Sequence, residues 1–123
     1  MKFNATITGL GAEALMFIGP EMDPKFVVVF NEDAPAELAE LSILHTKSTI
    51  NEVPVEGDML KLGKKMYTIT AVGDEAAHTL ATLGHCTLTF SADSEPYRPG
   101  CIMLDGEPIT ADDIPAGETI QIF

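Results

Sequence analysis

The sequence predicts a mainly β fold: a single compact β-barrel or sandwich-like domain over residues 1–123, with two short helices. Three observations support this prediction. Val, Ile and Thr are frequent, 10 Gly and 8 Pro recur between the apolar runs, and 123 residues suffice for one core but not for two. β-branched runs broken by turn residues are typical of short strands joined by turns.

The N-terminal half contains four strand candidates and one helix. Strands are predicted at 4–8, 26–30, 43–46 and 58–62, where apolar and β-branched residues cluster. A helix is predicted over 33–41, because Pro35 suits a first helical turn and Leu38 and Leu41 are spaced to share a face.

The C-terminal half has stronger patterns. Gly63-Lys64-Lys65 predicts a hairpin turn, and strict alternation over 66–72 predicts the strand that follows it. A helix is predicted over 74–83, with Asp74 capping its first turn and Gly84 in the left-handed position after its end. Its expected apolar stripe consists of Ala76, Ala77, Leu80 and Leu83. The remaining strands are predicted at 85–91, 101–104 and 119–123.

Charge excludes several classes of partner. The chain has 19 acidic and 7 basic residues, a net charge of -12, whereas nucleic-acid binding needs a basic surface. Nucleic acid and anionic membranes are therefore not expected as partners, but a basic protein face would be attracted. No apolar run approaches the roughly 20 residues of a membrane span, and residues 1–6 lack the apolar stretch of a secretory signal. We expect a cytoplasmic protein without direct membrane insertion.

One nucleotide-binding pattern is present and rejected. Gly9-Leu10-Gly11-Ala12-Glu13-Ala14 fits Gly-x-Gly-x-x-Ala after a predicted strand, with Glu32 at the end of the next one. Gly19-Pro20 ends any following helix after about two turns, too short for the required crossover. The glycines are therefore interpreted as turn residues, and no cofactor is predicted.

No metal site is predicted either. A zinc site built from the three histidines and the two cysteines would have a ligand spacing that matches no metal motif. Cys86 alternates with Leu88 and Phe90, which indicates a buried small hydrophobic residue.

The histidines are the candidate reactive groups. His78 lies off the apolar stripe of its helix and is expected to be exposed without a role. His45 ends a short strand and is followed by Thr46, and His85 follows Gly84 at the start of another strand. From the residues alone, His45 and His85 are each either structural or an acceptor of protons or phosphoryl groups.

A resemblance to a known family covers nearly the whole chain in order. The matching segments are Thr6–Gly11, Ala34–Leu38 with Ile43-Leu44-His45, Tyr67–Gly73, Leu83–Phe90, Pro99-Gly100 and Ile114–Gly117. Together they resemble the glucitol/sorbitol-specific enzyme IIA of the bacterial phosphoenolpyruvate-dependent sugar phosphotransferase system. The segment 92–98 does not match, and nothing is carried over from it.

The resemblance implies a phosphoryl carrier without nucleotide or metal. The phosphocarrier protein HPr would phosphorylate His45, which would pass the group to the IIB part of the sugar permease. His85 lies in the Leu-Gly-His segment of the family pattern and is a candidate stabiliser of the phosphoryl group.

Phosphoryl transfer also needs donors to the phosphoryl oxygens and a docking surface. Backbone amides near His45 and the Thr46 hydroxyl are candidate donors. Leu41, Ile43 and Leu44 are either part of an apolar docking patch or core residues. The competing hypothesis is a non-enzymatic acidic β-barrel that binds a ligand or protein and has structural histidines.

Overall fold

One sheet closes on itself to form the molecule. In the computed structural model, which describes residues 1–123, eight strands pair in the order β1-β3-β2-β6-β7-β5-β4-β8, and β8 pairs with β1. The strands are β1 (Phe3–Leu10), β2 (Phe26–Asn31), β3 (Ile43–His45), β4 (Met59–Leu62), β5 (Lys65–Val72), β6 (Cys86–Phe90), β7 (Cys101–Asp105) and β8 (Thr119–Ile122). The mainly β prediction is confirmed, and the architecture is a barrel rather than a sandwich.

Two parallel pairs interrupt an otherwise antiparallel barrel. β2 runs parallel to β3, and β6 runs parallel to β7. Parallel neighbours cannot be joined by a tight hairpin, so the chain crosses over between them through residues 32–42 and 91–100. In the sheet, β2 lies between β3 and β6. The C-terminal ends of β2 and β3 and the N-terminal end of β6 therefore meet at one edge.

Alternate residues of the strands fill the barrel. Val29 of β2 pairs with Ile43 of β3 and with Cys86 of β6, and all three side chains are buried in the main core. Because strand side chains alternate between faces, positions two residues away from this row point to the same side. That periodicity decides which face each candidate site residue occupies.

Both helices are shorter than the sequence predicts. The first, α1 (Ala36–Ala39), is shorter than the predicted helix over 33–41. At its start the Pro35 carbonyl accepts from the amides of Leu38 and Ala39. After its end the Ser42 hydroxyl donates to the Leu38 carbonyl over 2.7 Å, which closes the turn into β3.

The second helix, α2 (Ala76–Leu83), begins two residues later than predicted, and Asp74 does not cap it. The Gly73 carbonyl accepts from the Ala76 amide at 3.1 Å, so backbone closes the first turn. Of its expected apolar stripe, Ala76 and Leu80 are buried but Leu83 is exposed. Neither α1 nor α2 has the length and apolar character needed to cross a membrane.

The glycine turns behave as predicted. Gly63 has φ +61° in the hairpin between β4 and β5, a left-handed conformation that glycine adopts without steric cost. After Gly11 the chain forms a turn and a single 3₁₀ turn, Met16–Ile18, which is shorter than the two helical turns expected there.

We predict that Ile69→Ala lowers the free energy of unfolding by about 2–5 kcal/mol, because Ile69 is fully buried in the barrel core and its loss leaves a cavity. Urea denaturation measures the change. Met66→Ala on the same strand is the control, since Met66 is exposed. Equal losses for the two variants would contradict the assignment of this strand's faces.

Candidate functional site

His45 ends β3 inside the barrel. Its Cα partner on β2 is Asn31 and its partner on β1 is Ile7. It lies two residues beyond Ile43, on the same core-facing side, and its side chain is 0% exposed. The Phe3 ring contacts the imidazole edge-on, with ring centroids 5.9 Å apart. In this conformation no solvent reaches the ring.

Two backbone carbonyls hold the His45 ring. Nδ1 lies 2.7 Å from the Thr46 carbonyl oxygen, and Nε2 lies 2.8 Å from the Gly84 carbonyl oxygen. A neutral imidazole has one N–H and can donate to only one of these oxygens, whereas the doubly protonated ring donates to both. A neutral ring therefore leaves one nitrogen lone pair facing a carbonyl oxygen, and a nucleophilic nitrogen requires one of the two contacts to open.

Gly84 covers Nε2, and its position requires a glycine for two reasons. It ends α2 with φ +63°, the left-handed conformation predicted for it, and its amide donates to the Leu80 carbonyl. A Cβ at this position would collide with the Asn31 side chain and with Cε1 of His45. The cover over Nε2 is therefore the Gly84 peptide, against which the Asn31 amide packs.

A shallow depression of about 230 Å³ lies beside this cover, with Asn31 and Leu83, the residue before Gly84, in its lining. We call it the β2–α2 depression; it is lined by Phe30, Asn31, Asp33, Ala34, Pro35, Lys47, Thr82 and Leu83. Asn31 is 9% exposed, and its buried Oδ1 has no hydrogen-bond partner. An unsatisfied buried amide oxygen is uncommon, and this residue both lines the depression and is the strand partner of His45.

Lys47 and Asp33 form an exposed ion pair at the rim of this depression, with Nζ and Oδ2 2.7 Å apart. The hydrogen bond from Lys47 holds the pKa of the Asp33 carboxyl below its usual value. The Lys47 ammonium is thus paired with Asp33 and makes no hydrogen bond to Thr46.

Thr46 fixes the Nδ1 side of the ring. Its amide donates to the Thr6 carbonyl at 2.9 Å, and its hydroxyl oxygen accepts from the Thr6 amide at 3.0 Å. Its own carbonyl faces Nδ1 of His45. The hydroxyl hydrogen has no acceptor in the protein, so it is free to donate, but the residue is tied to β1.

His85 lies just before β6, on the opposite side of the sheet from His45. Its ring packs on Phe30 with centroids 4.9 Å apart. Phe30 points to the face of β2 opposite its neighbour Val29, which is a core residue. Its Nδ1 is buried without a partner, and the ring makes no hydrogen bond with His45. The connection between the two histidines is the Gly84 carbonyl, so the structure does not place the His85 ring over the His45 nitrogens.

The other candidates lie away from this site. His78 is exposed on α2, as expected. Cys86 and Cys101 are buried free thiols, and burial raises the pKa of Cys86, which keeps it in the unreactive protonated form. Of the proposed docking residues, Ile43 is a core residue, while Leu41 and Leu44 are half-buried.

Comparison with known proteins identifies the family. A family model described as the PTS system glucitol/sorbitol-specific IIA component matches residues 2–121. The chain belongs to this family. The glucitol/sorbitol-specific EIIA components of Escherichia coli (strain K12) and Shigella flexneri are each 34% identical to it over 119 residues, which cover 97% of this chain and 92% of theirs.

A solved structure agrees with this membership. The crystal structure of a PTS system IIA component from Enterococcus faecalis V583 matches with a TM-score of 0.71 and 26% identity, covering 96% of this chain and 97% of that one. These relatives are consistent with a phosphoryl-carrier role within a sugar phosphotransferase system. They do not favour the non-enzymatic binding module.

We predict that Gly84→Ala destabilises the fold more than Gly57→Ala. Both positions have a left-handed φ, which costs about 1–2 kcal/mol for a residue with a Cβ, but only at Gly84 does a Cβ meet other groups. Urea denaturation of both variants isolates the effect of crowding against Asn31 and His45. Equal destabilisation would show that the Gly84 peptide does not pack as described.

Proposed function

We propose that residues 1–123 act as one IIA domain that accepts a phosphoryl group on His45 from phospho-HPr and passes it to the IIB part of a glucitol/sorbitol permease. The observation that carries the proposal is the position of Nε2: it faces the Gly84 carbonyl, and two neighbours of that glycine, Asn31 and Leu83, line a surface depression. The reaction class follows from the family membership. Because the proposed partners are HPr and the IIB part of the permease, we propose that the protein acts in the cytoplasm.

The proposed step balances without a cofactor. The Nε2 lone pair attacks the phosphorus of the phosphohistidine of HPr; the new N–P bond forms as the old one breaks, and its electron pair returns to the HPr ring. Nδ1–H donates to the Thr46 carbonyl throughout, which fixes the tautomer in which Nε2 is nucleophilic. In the transfer to IIB, a nucleophile of IIB attacks the phosphorus, the bond between Nε2 and phosphorus breaks, and its electron pair returns to the His45 ring.

Nε2 is favoured over Nδ1 because of what lies beyond each nitrogen. Beyond Nδ1 is Thr46, which two hydrogen bonds tie to β1, so moving it would disrupt the sheet. Beyond Nε2 is Gly84 at the end of a helix, where a glycine can change conformation at low steric cost. The proposal therefore requires the Gly84 carbonyl to turn away before phosphorylation.

The surface around the β2–α2 depression suits a basic partner. Leu83 and Asp33 line it, and the exposed residues Leu38, Glu32 and Glu37 lie within three positions of its lining residues along the chain. An apolar centre with an acidic rim complements a face that carries an apolar patch and basic residues, and electrostatic steering raises the rate of such encounters. HPr and IIB would use this surface in turn, so each complex must be weak and transient.

His85 has a positioning role in this proposal. Its ring packs on Phe30 at the rim of the depression, and its backbone continues directly from the gating Gly84 peptide. Thr46 lies on the Nδ1 side of the ring, so in this proposal it acts through its carbonyl on the tautomer and its hydroxyl does not donate to a phosphoryl group on Nε2. No step of the proposed transfer uses a nucleotide or a metal.

We predict that incubation with phosphoenolpyruvate, enzyme I and HPr adds one phosphoryl group, detected by intact mass, which is labile in acid and stable in alkali. His45→Ala removes the adduct, because the acceptor nitrogen is gone. The control His78→Ala retains it, since His78 is exposed on α2. A full adduct on folded His45→Ala protein would move the acceptor to another histidine, and no adduct on the unmodified protein would leave His45 structural.

We predict that His85→Ala retains the adduct but slows its formation by about tenfold or more, because the Gly84 peptide and the Phe30 surface lose their support. Rapid-quench measurement with phospho-HPr gives the rate. His85→Phe, which keeps a ring against Phe30, should restore most of it. An unchanged rate for His85→Ala would exclude the positioning role.

A further inference from the structure

A second depression lies on the outer side of the barrel, away from the β2–α2 depression. It has a volume of about 330 Å³, and we call it the Arg98 depression. Its lining includes Asp23, Phe26, Thr87, Thr89, Tyr97 and Arg98. Phe26 pairs with Thr89 across β2 and β6, so both belong to the face opposite Val27 and Leu88 in the core. The phosphoryl relay proposed above uses none of these residues.

Two opposite charges line this depression without pairing. Arg98 is the chain's only arginine, and it makes no ion pair and donates no side-chain hydrogen bond, although the net charge is -12. Asp23 also has neither kind of contact, so no Asp23 oxygen lies within 4.0 Å of an Arg98 nitrogen. The depression thus offers strong donors and strong acceptors at separate places.

Hydroxyl groups form its floor. Thr89 is only 2% exposed, and its hydroxyl has no hydrogen-bond partner in the protein. The buried side-chain atoms that lack both a partner and solvent belong to Asn31 and His85, so the Thr89 hydroxyl keeps some access to solvent. The hydroxyl oxygen must therefore reach the depression. Thr87, two residues away on the same face, also has an unpartnered hydroxyl.

Both walls carry an aromatic side chain, and one of the two walls is held in place. Phe26 stacks on Phe17 with centroids 4.6 Å apart, and Tyr97 is 57% exposed on the other side. Lys25 donates to the carbonyls of Gly19 and Met22 at 2.9 and 3.0 Å, which fixes the segment that carries Asp23. The side of the depression that carries Phe26 and Asp23 is therefore ordered before a ligand binds, which reduces the entropy lost on binding, whereas Tyr97 and Arg98 are exposed.

We propose that the Arg98 depression binds an uncharged polyol or similar polyhydroxylated small molecule. Each ligand hydroxyl can both donate and accept, so one molecule can donate to Asp23 and accept from Arg98 while its other hydroxyls pair with Thr87 and Thr89. Its C–H faces pack on Tyr97 and Phe26. An anion suits the site less well, because Asp23 and the negative surface oppose it.

The volume restricts the size of the ligand. About 330 Å³ is at the lower end of small-molecule pockets, which span roughly 300–1,000 Å³. A linear five- or six-carbon polyol is of suitable size. Binding here would make this carrier responsive to a polyol without any contact with His45.

The test is a titration of the unphosphorylated full chain with glucitol, followed by amide NMR shifts. We expect saturable shifts confined to the residues lining the Arg98 depression, with Thr87, Thr89 and Arg98 among them. Tyrosine fluorescence gives a second readout, because the chain has no Trp and its other tyrosine, Tyr67, is 2% exposed. Tyr97→Phe should abolish the fluorescence change and retain the NMR shifts.

Two variants and two comparison compounds make the result decisive. Arg98→Gln and Asp23→Asn should each weaken glucitol binding about tenfold, because each removes a hydrogen bond to a charged group. The controls Lys64→Gln and Asp105→Asn, exposed charges outside the depression, should leave it unchanged. 1,6-Hexanediol, which lacks the inner hydroxyls, and glucitol 6-phosphate should both bind more weakly than glucitol.

Three outcomes would overturn the proposal: no saturable shift with glucitol, equal affinity for 1,6-hexanediol, or tighter binding of the phosphate ester. The experiment needs no phosphoryl donor, and we expect His45→Ala to bind glucitol normally. Failure of the polyol site would therefore leave the relay proposal unaffected, and failure of the relay would leave this site unaffected.

Discussion

The position of β2 between β3 and β6 is the constraint on which the candidate site depends. Parallel pairing with β3 sets Asn31 beside His45, and antiparallel pairing with β6 brings the end of α2 to the same edge. Once these strands are in register, the Gly84 carbonyl lies against Nε2, and no side chain is tolerated at position 84. A one-residue slip in either pairing would turn His45 or its cover to the other face.

Burial of the ring and the proposed carrier role are compatible because the cover is small. Most of the enclosure is sheet, which moves only at the cost of many hydrogen bonds, but the group over Nε2 is the Gly84 peptide, with the Asn31 amide packed against it. The proposed phosphorylation of Nε2 requires the Gly84 carbonyl to leave. The enclosure seen here therefore belongs to the unmodified histidine, and its cover has to open for each transfer.

Much of the fold could be predicted from local pattern, and much less of the site. Alternation over 66–72 and the glycines at 63 and 84 correspond to a strand and two left-handed turns in the structure. The helix at 33–41 was predicted too long, because periodicity does not reveal that Ser42 turns back to the Leu38 carbonyl.

At the site, His45 and His85 could be singled out by resemblance to a family, but their opposite faces follow from strand order, which is not a local property. No signal distinguished Asn31, an amide at the end of a valine-rich strand. The Leu-Gly-His segment pointed to Gly84 as a turn residue, although not to its contact with His45. The unpaired state of Asp23 and Arg98 likewise depends on tertiary geometry that no spacing encodes.

The pairing of β1 with β8 has a consequence for biogenesis. Phe3 lies opposite Ile122, so the seam of the barrel joins segments almost the full chain length apart. Contacts of such sequence separation form slowly, and until they form both strands present open backbone edges. On the ribosome β8 emerges after the other seven strands. The barrel therefore cannot close before β8 has been made, and the nascent chain carries an unsealed sheet until then.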